Sequence, residues 1–550
     1  MSRLSIAIIL IAGLVAGWSI PPRRLADGSN YVVMADSLWV DGDLTYSAED
    51  LKRARALHFA DVPNGLFLTK QDWGYTYGKP ALYPLLTTPF YALFGVRGFF
   101  AFNGLLLAAL VLLGADILRH RLDRARAFLA SAVVVGFSVT PAYVHWIDPF
   151  LLFSVLVAGA VAAYRRGLPA VCGALLAALV SCRVPYGALA IAPLGLYALG
   201  RRWRALGSFA LGGFAVMALL LGFGRFASGQ WSPYTGERFY YGAAFPYEKE
   251  GAITEVGRPV SIHVRPEWPG AYALARSNAY FFLGRFAGVL VHYPTLLACL
   301  LWSRTWDREK VLWLFALIAS CEAIQLALPD NIMGGAHTLG NRLFVMLPLA
   351  MVFVDFVRWC PYRALATAAL LLIAAPLVRS PLQLSLRPGQ KMVDAPYRYL
   401  PFEWTQARFV DYPARFPGMF ALTHNQYSWE QGGVWTRSGT TAEFVFFASP
   451  PSAPRVRLTA RESGARVSDG GTPVAAQWKS GQELEITLAH PVVTYRERRG
   501  ARNEVSVYHL SITTDGGPPA EARDGGGDHR SLGVFVRPVP TPAPAELLRR

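Results

Sequence analysis

The chain reads as a polytopic α-helical membrane protein with a C-terminal, extracytoplasmic β-sandwich-like domain, and three observations predict this. Of its 550 residues 53% are apolar and only 16% charged, whereas an ordinary soluble domain is about 25% charged. Apolar runs recur from the N-terminus to about residue 380, and about 20 apolar residues suffice for one bilayer crossing. After about residue 385 the runs shorten to strand length between clusters of Gly, Pro, Ser and Asp.

Taken in order, Arg3 precedes the run Leu4 to Ile20, closed by Pro21-Pro22-Arg23-Arg24. No small-x-small site ends it, so a retained first helix is expected rather than a cleaved signal. Residues 21–97 form a long polar and aromatic loop with helical patches, such as Ala48 to His58. Ala81 to Phe94 suits a helix at the membrane interface. Further apolar runs follow at 98–118, 126–145, 149–164, 168–182, 185–200, 205–224, 279–303, 310–328, 342–358 and 362–379. With the first, about eleven transmembrane helices are expected.

The net charge is +16, and the cations gather in alternate short loops. Arg119, Arg121, Arg124 and Arg126 share one; Arg165 and Arg166, then Arg201, Arg202 and Arg204, Arg304, Arg308 and Lys310, and Arg358 and Arg363 occupy others. Such loops are cytoplasmic, which accounts for much of the excess charge without a nucleic-acid partner. The loops at 21–97, 225–278 and 329–341 and everything after 380 then lie outside. Cys172, Cys182, Cys299, Cys321 and Cys360 all fall in or beside apolar segments, so the polar C-terminal part has no disulfide framework. There Glu443 to Phe447, Arg455 to Leu458, Glu483 to Leu488 and Glu504 to Tyr508 read as strands of a small sandwich. Two domains follow, 1–380 in the membrane and 385–550 outside it.

The first outside loop holds the dense polar and aromatic set. Asp27, Tyr31, Ala35, Gly42-Asp43 and Lys79-Pro80-Ala81-Leu82-Tyr83 follow one another there. In that order they resemble the GT-C superfamily of polyprenyl-phosphate-sugar-dependent glycosyltransferases, in particular the branch of protein O-mannosyltransferases and lipid A aminoarabinose transferases. The chain departs from that pattern at Gly28, where a second acidic residue often follows, and at Ala81, where a second proline stands. Asp148 in His145-Trp146-Ile147-Asp148-Pro149, Arg183 before Val184-Pro185, and Arg342 in Asn341-Arg342-Leu343-Phe344 match further features of the superfamily. The resemblance covers about residues 1–380. It implies a multi-pass enzyme of a bacterial inner membrane, with membrane lipid around it and its site on the outer face. Its reaction would be inverting transfer of a sugar from a polyprenyl-phosphate donor to a glycan, lipid or protein acceptor.

Each candidate residue has a chemical reading and a plainer one. Asp27 suits the base that takes the acceptor's proton near an oxocarbenium-like centre; a helix-capping Asp would look the same. Asp36, Asp41 and Asp43 compete for the role, with Asp41-Gly42-Asp43 reading as a turn. Asp148 suits a divalent cation, Mg²⁺ or Mn²⁺, on the donor phosphate, with His145 as a second ligand. An Asp-Pro pair opening a helix also fits an N-cap. Lys79, Arg183 and Arg342 are phosphate holders, and Lys79 equally suits an interfacial lysine. Tyr83 and His337 complete the substrate-binding set; His337 lies in the glycine-rich stretch Gly334 to Asn341. Trp231, Tyr234, Tyr240, Tyr241, Tyr247, His263 and Trp268 suit sugar stacking and an interfacial belt alike, and Trp429, Trp435 and Trp478 suit sugar stacking or the core of the β-domain. The rival classes are a transporter or flippase of a lipid-linked glycan and a polysaccharide-binding membrane scaffold. A transporter is expected to carry its polar site near the midplane, whereas these candidates gather at one face.

Overall fold

A computed structural model describes residues 3–20, 28–57, 62, 65–232, 237–241, 245–248, 258–259, 271–327, 340–355, 360–379, 397–405, 419–423, 425–427, 432–461, 464–475, 481–496, 504–515 and 531–539. The chain divides into two compact units. Met1–Leu283, Ala287–Ile332 and Gly340–Leu386 make one; Gly284–Phe286, Met333–Leu339 and Arg387–Arg550 make the other.

The first unit is mainly helical. Arg97–Leu118, Trp203–Ser228, Arg308–Ala327 and Pro361–Arg379 are long and apolar enough to cross a membrane, by length and composition. Arg3–Trp18, Phe150–Arg165, Pro169–Cys182 and Val184–Leu199 are apolar and shorter. Three of the expected spans are not continuous helices. The run at 126–145 stops at Gly136 and resumes as the 3₁₀ turn Thr140–His145. That at 279–303 is divided among Ala271–Leu283, Val289–His292 and Pro294–Leu301. That at 342–358 is helical only over Leu347–Ala350 and Met351–Phe353 among the described residues. In each of the three, one restart carries a proline in its first two positions, Pro141, Pro294 or Pro348. Proline has no N–H to continue a helix from the preceding turn but fits a new first turn, a distinction that hydropathy does not register.

Helices Arg3–Trp18 and Arg97–Leu118 pack backbone to backbone. A Cβ on Gly13 would lie 2.6 Å from the Gly104 carbonyl oxygen and 2.7 Å from Ala108 Cβ, and one on Gly104 would lie 2.9 Å from Gly17 Cα. Small residues four apart permit this approach where water supplies no driving force between helices. Gly104→Leu is therefore expected to part the two helices at a cost of about 3 kcal/mol, seen as a lower thermal midpoint in detergent.

One end of the bundle is laced by charge. Arg165 donates to Glu309 Oε1 at 3.0 Å and to the Ile117 carbonyl at 2.7 Å. Arg166 holds Asp116 at 2.9 and 2.7 Å. Arg121 Nε lies 3.5 Å from Asp355, with which Lys310 pairs directly. Several cations that the sequence assigns to one membrane side thus meet at one end. Phe150 opens the helix that Arg165 closes, about 24 Å away at 1.5 Å per residue.

Within 21–97, expected as a loop with helical patches, the described residues are largely regular, and the helices expected near Ala48 and over Ala81 to Phe94 are present. The first ten residues of helix Gly28–Val40 are all buried, and helix Ala48–Ala56 opens on a capping box between Ser47 and Asp50. A five-stranded antiparallel sheet runs Thr45–Tyr46, Gly74–Tyr77, Leu66–Gln71, Glu237–Tyr241, Arg258–Pro259. The two large expected loops therefore build one sheet, with Thr69 opposite Arg238. Tyr247 adds to the junction: its ring lies 6.0 Å from those of Tyr46 and Tyr75, and next to it Glu248 pairs with Arg55. Helix Leu82–Phe94 buries Tyr83, Pro84, Thr87 and Tyr91 and exposes Leu93 and Phe94.

The second unit contains two antiparallel sheets. In one, Thr472–Ala475, Arg466–Asp469, Glu504–Thr513, Thr441–Ala448 and Met419–Ala421 are neighbours in that order, and Pro491–Arg496 also pairs with Glu504–Thr513. In the other the order is Glu483–Thr487, Arg455–Ala460, Leu532–Val539, Val434–Arg437. Alternation is visible in Arg455–Ala460, where Val456, Leu458 and Ala460 are buried. Trp435 packs on Phe535 with centroids 4.9 Å apart, while Trp429 and Trp478 lie outside the described residues.

Candidate active site

A single amide organises the segment that carries Asp148. Asn103 is fully buried in helix Arg97–Leu118. Its Nδ2 donates to the Trp146 carbonyl at 2.6 Å, and its Oδ1 accepts from the Tyr83 hydroxyl at 3.0 Å. Helix Leu82–Phe94, helix Arg97–Leu118 and the turn before Phe150 are thereby joined. Tyr83, expected to bind substrate, makes this bond and an edge contact with Tyr31 at 5.2 Å.

Asp148 does not cap the helix it precedes. Pro149 is the N-cap and no side-chain capping bond forms. Instead Asp148 Oδ2 accepts from Arg342 Nη1 at 3.2 Å, across 194 residues of sequence. The side chains of the pair are 6% and 12% exposed respectively. The Arg342 guanidinium lies 5.2 Å from the centroid of Phe150, and the Arg183 guanidinium lies 5.9 Å from the same ring. An aromatic face attracts such cations. Arg183 precedes the short helix Val184–Ala190; its Nη1 is buried with no hydrogen-bond partner among the described residues. Among the described residues, two guanidiniums against one carboxylate leave a net positive charge, and poor solvation makes such a charge count for more toward an anion.

Asp27 and His337 lie outside the described residues. The residue after Asp27 is placed: a Cβ on Gly28 would be 3.1 Å from Ile147 Cβ. Helix Gly28–Val40 thus begins against the residue preceding Asp148.

The same helix start also bonds to the strand that carries Phe67. Asn30 Nδ2 donates to the Gly65 carbonyl at 2.7 Å and Asn30 Oδ1 accepts from Phe67 N–H at 2.6 Å. Lys79 Nζ and the Arg238 guanidinium each lie 4.4 Å from the centroid of the Phe67 ring. Gly78 permits this, since a Cβ there would lie 3.2 Å from Arg238 Nε. There are thus two cation–aromatic centres, one on Phe150 and one on Phe67, and the first turn of helix Gly28–Val40 touches Ile147 near the one and the Phe67 backbone at the other.

The competing carboxylates are engaged elsewhere. Asp36 accepts from Arg53 Nε at 2.7 Å and from the Tyr91 hydroxyl at 2.8 Å. Asp41 and Asp50 also pair with Arg53. Burial pushes the Asp50 carboxyl above its ordinary value, against hydrogen bonds from Ser47 and the charge of Arg53. Asp43 Oδ1 accepts from Thr45 N–H at 3.0 Å, just after Gly42, whose φ is +74°.

Among the described residues, Asp148 has few further ligands for the divalent cation expected there. Arg342 already bonds to one of its oxygens, and no group of three or more His, Cys, Asp or Glu side chains is placed to hold a metal among the described residues. His145 is buried in the turn Thr140–His145. Of the aromatics at 225–278, Tyr240 packs on Phe67 at 5.1 Å and Tyr241 on Tyr75 at 6.1 Å. Trp231 is exposed; Tyr234, His263 and Trp268 lie outside the described residues.

Sequence reading missed Asn103, Phe150, Phe67 and Arg238. Asn103 had a signal, as an amide set in an otherwise apolar stretch. Phe67 and Phe150 are indistinguishable from core residues until the cations are placed on them, and Arg238 acquires meaning only from strand pairing.

No family model matches the chain, and no curated protein matches it. Among solved structures it is similar to ArnT from Cupriavidus metallidurans in a crystal structure bound to undecaprenyl phosphate. The two are 12% identical with a TM-score of 0.40, over 74% of this chain and 69% of that chain.

Proposed function

We propose that this chain is a membrane glycosyltransferase that moves a sugar from a polyprenyl-phosphate donor to an extracytoplasmic acceptor, inverting the anomeric centre. The observation that carries this reading is the placement of Arg183 and Arg342 over the one ring of Phe150, beside Asp148. Three stretches far apart in sequence contribute to that centre, and each was singled out by its order along the chain.

In a single displacement the acceptor oxygen bonds to the anomeric carbon as the bond from that carbon to the phosphate oxygen breaks. Negative charge then grows on the departing lipid phosphate, where Arg183 and Arg342 offset it. Lys79, with Arg238 on Phe67, supplies further positive charge to the donor. Asp27 takes the acceptor's proton; the residue after it, Gly28, lies against Ile147. Asp148 orients Arg342, and no step runs through a divalent cation. The cationic cluster around Arg165 and Lys310, at the far end of helix Phe150–Arg165, favours a cytoplasmic location for that end and an outer one for the site.

The test is transfer from a radiolabelled polyprenyl-phosphate sugar in membranes. Asp27→Asn and Arg183→Gln are each expected to lower transfer about 10²–10³-fold with unchanged folded yield, and chelator is expected to leave wild-type transfer intact. Undiminished transfer by Asp27→Asn removes that residue from the role of base.

A further inference from the structure

We infer that Tyr186 and Tyr293 are positioning residues that set the distance between the two guanidiniums by gripping the backbone on either side of Arg342. The inference rests on the reading of Arg342 as a phosphate holder. The Tyr186 hydroxyl donates to the Leu343 carbonyl at 2.8 Å. The Tyr293 hydroxyl donates to the Asn341 carbonyl at 3.1 Å and lies 3.4 Å from the Tyr143 hydroxyl. Both rings are buried, Tyr186 against Phe153 and Tyr293 against Phe344.

The turn itself is fixed from within. Asn341 Oδ1 accepts from Leu343 N–H at 3.1 Å, an Asx-type closure around Arg342. Gly340 has φ +67°, and a Cβ there would fall 3.0 Å from the ring of His292, so only glycine suits the position. A turn this constrained moves as a body, and the two tyrosines decide where it stands.

Tyr186 makes the arrangement more specific than ordinary satisfaction of a buried phenol. It lies in Val184–Ala190, the short helix that Arg183 opens. One hydrogen bond, across 157 residues of sequence, therefore ties the element bearing one guanidinium to the turn bearing the other. A phosphate that must meet both is sensitive to displacements of about 1 Å.

The experiment uses the full chain in lipid nanodiscs and undecaprenyl phosphate as probe. Its dissociation constant is measured for wild type, Tyr186→Phe and Tyr293→Phe, and again with each tyrosine change placed in an Asp148→Asn/Arg342→Gln background. Both Phe variants keep the ring and its packing. Each is expected to weaken binding about five-fold when Arg342 is present and to cause no further loss when it is absent. An equal loss in both backgrounds, or no loss in either, overturns the inference while leaving the phosphate reading standing. Binding as tight without Arg342 as with it overturns both.

Discussion

Arg342→Gln is expected to lower sugar transfer about 10²–10³-fold and to destabilise the protein by about 3–5 kcal/mol. The two effects have separate causes. Transfer falls because a cation facing the departing phosphate is gone. Stability falls because Asp148, 6% exposed in its side chain, is left as a buried carboxylate without its guanidinium, and such a charge costs more alone than the pair contributes together. The double variant Asp148→Asn/Arg342→Gln separates them. Two amides can bond across the gap that the ion pair spans, so the thermal midpoint is expected to recover while transfer stays low. Recovery of both would make Arg342 a purely structural residue.

Lys310→Met is expected to cost about 3–5 kcal/mol without lowering transfer per folded molecule. Lys310 and Asp355 are 2% and 5% exposed in their side chains. Lys310 Nζ also donates to the Thr305 carbonyl at 2.9 Å and to Ser303 Oγ at 3.2 Å. Asp355 Oδ2 accepts from the N–H groups of Arg304 and Thr305, each at 3.1 Å. Methionine fills the volume of lysine but removes its charge, leaving Asp355 to Arg121 at 3.5 Å and to those N–H groups in a site with little water. A Lys310→Met/Asp355→Asn double variant is expected to regain part of the loss. Thermal unfolding in detergent, with transfer normalised to folded protein, checks both halves; a loss of specific transfer would mean that this end of the bundle reaches the site.

What the sequence made legible follows from which forces are local. Long apolar helices such as Arg97–Leu118 and Trp203–Ser228 were readable because lipid demands continuous hydrophobicity. The strands around Phe444, Val456 and Val507 were readable from their short apolar runs and turn residues. The breaks at Thr140–His145 and around His292 were missed because a proline restart scarcely alters mean hydropathy. The helix Gly28–Val40 was read only as the plainer alternative at Asp27, a helix cap, because Gly28-Ser29-Asn30 has low helix propensity, which buried packing outweighs. Asp148, Arg183 and Arg342 were singled out as candidates by the family resemblance. Their partners were not, because Phe150, Tyr186 and Tyr293 are ordinary aromatics whose role depends on what lies opposite them.

The strand Leu66–Gln71 has a consequence for biogenesis. Its partner Glu237–Tyr241 belongs to a much later part of the chain, and the flanking pair Arg55 and Glu248 is 193 residues apart. During synthesis the hairpin reaches its compartment with one edge open and keeps it so while several further helices enter the bilayer. An uncovered edge recruits strands from other molecules, and slow non-local pairing prolongs the exposure. Nascent chains stalled before residue 237 should therefore depend on an edge-binding chaperone, and those released past residue 248 should not.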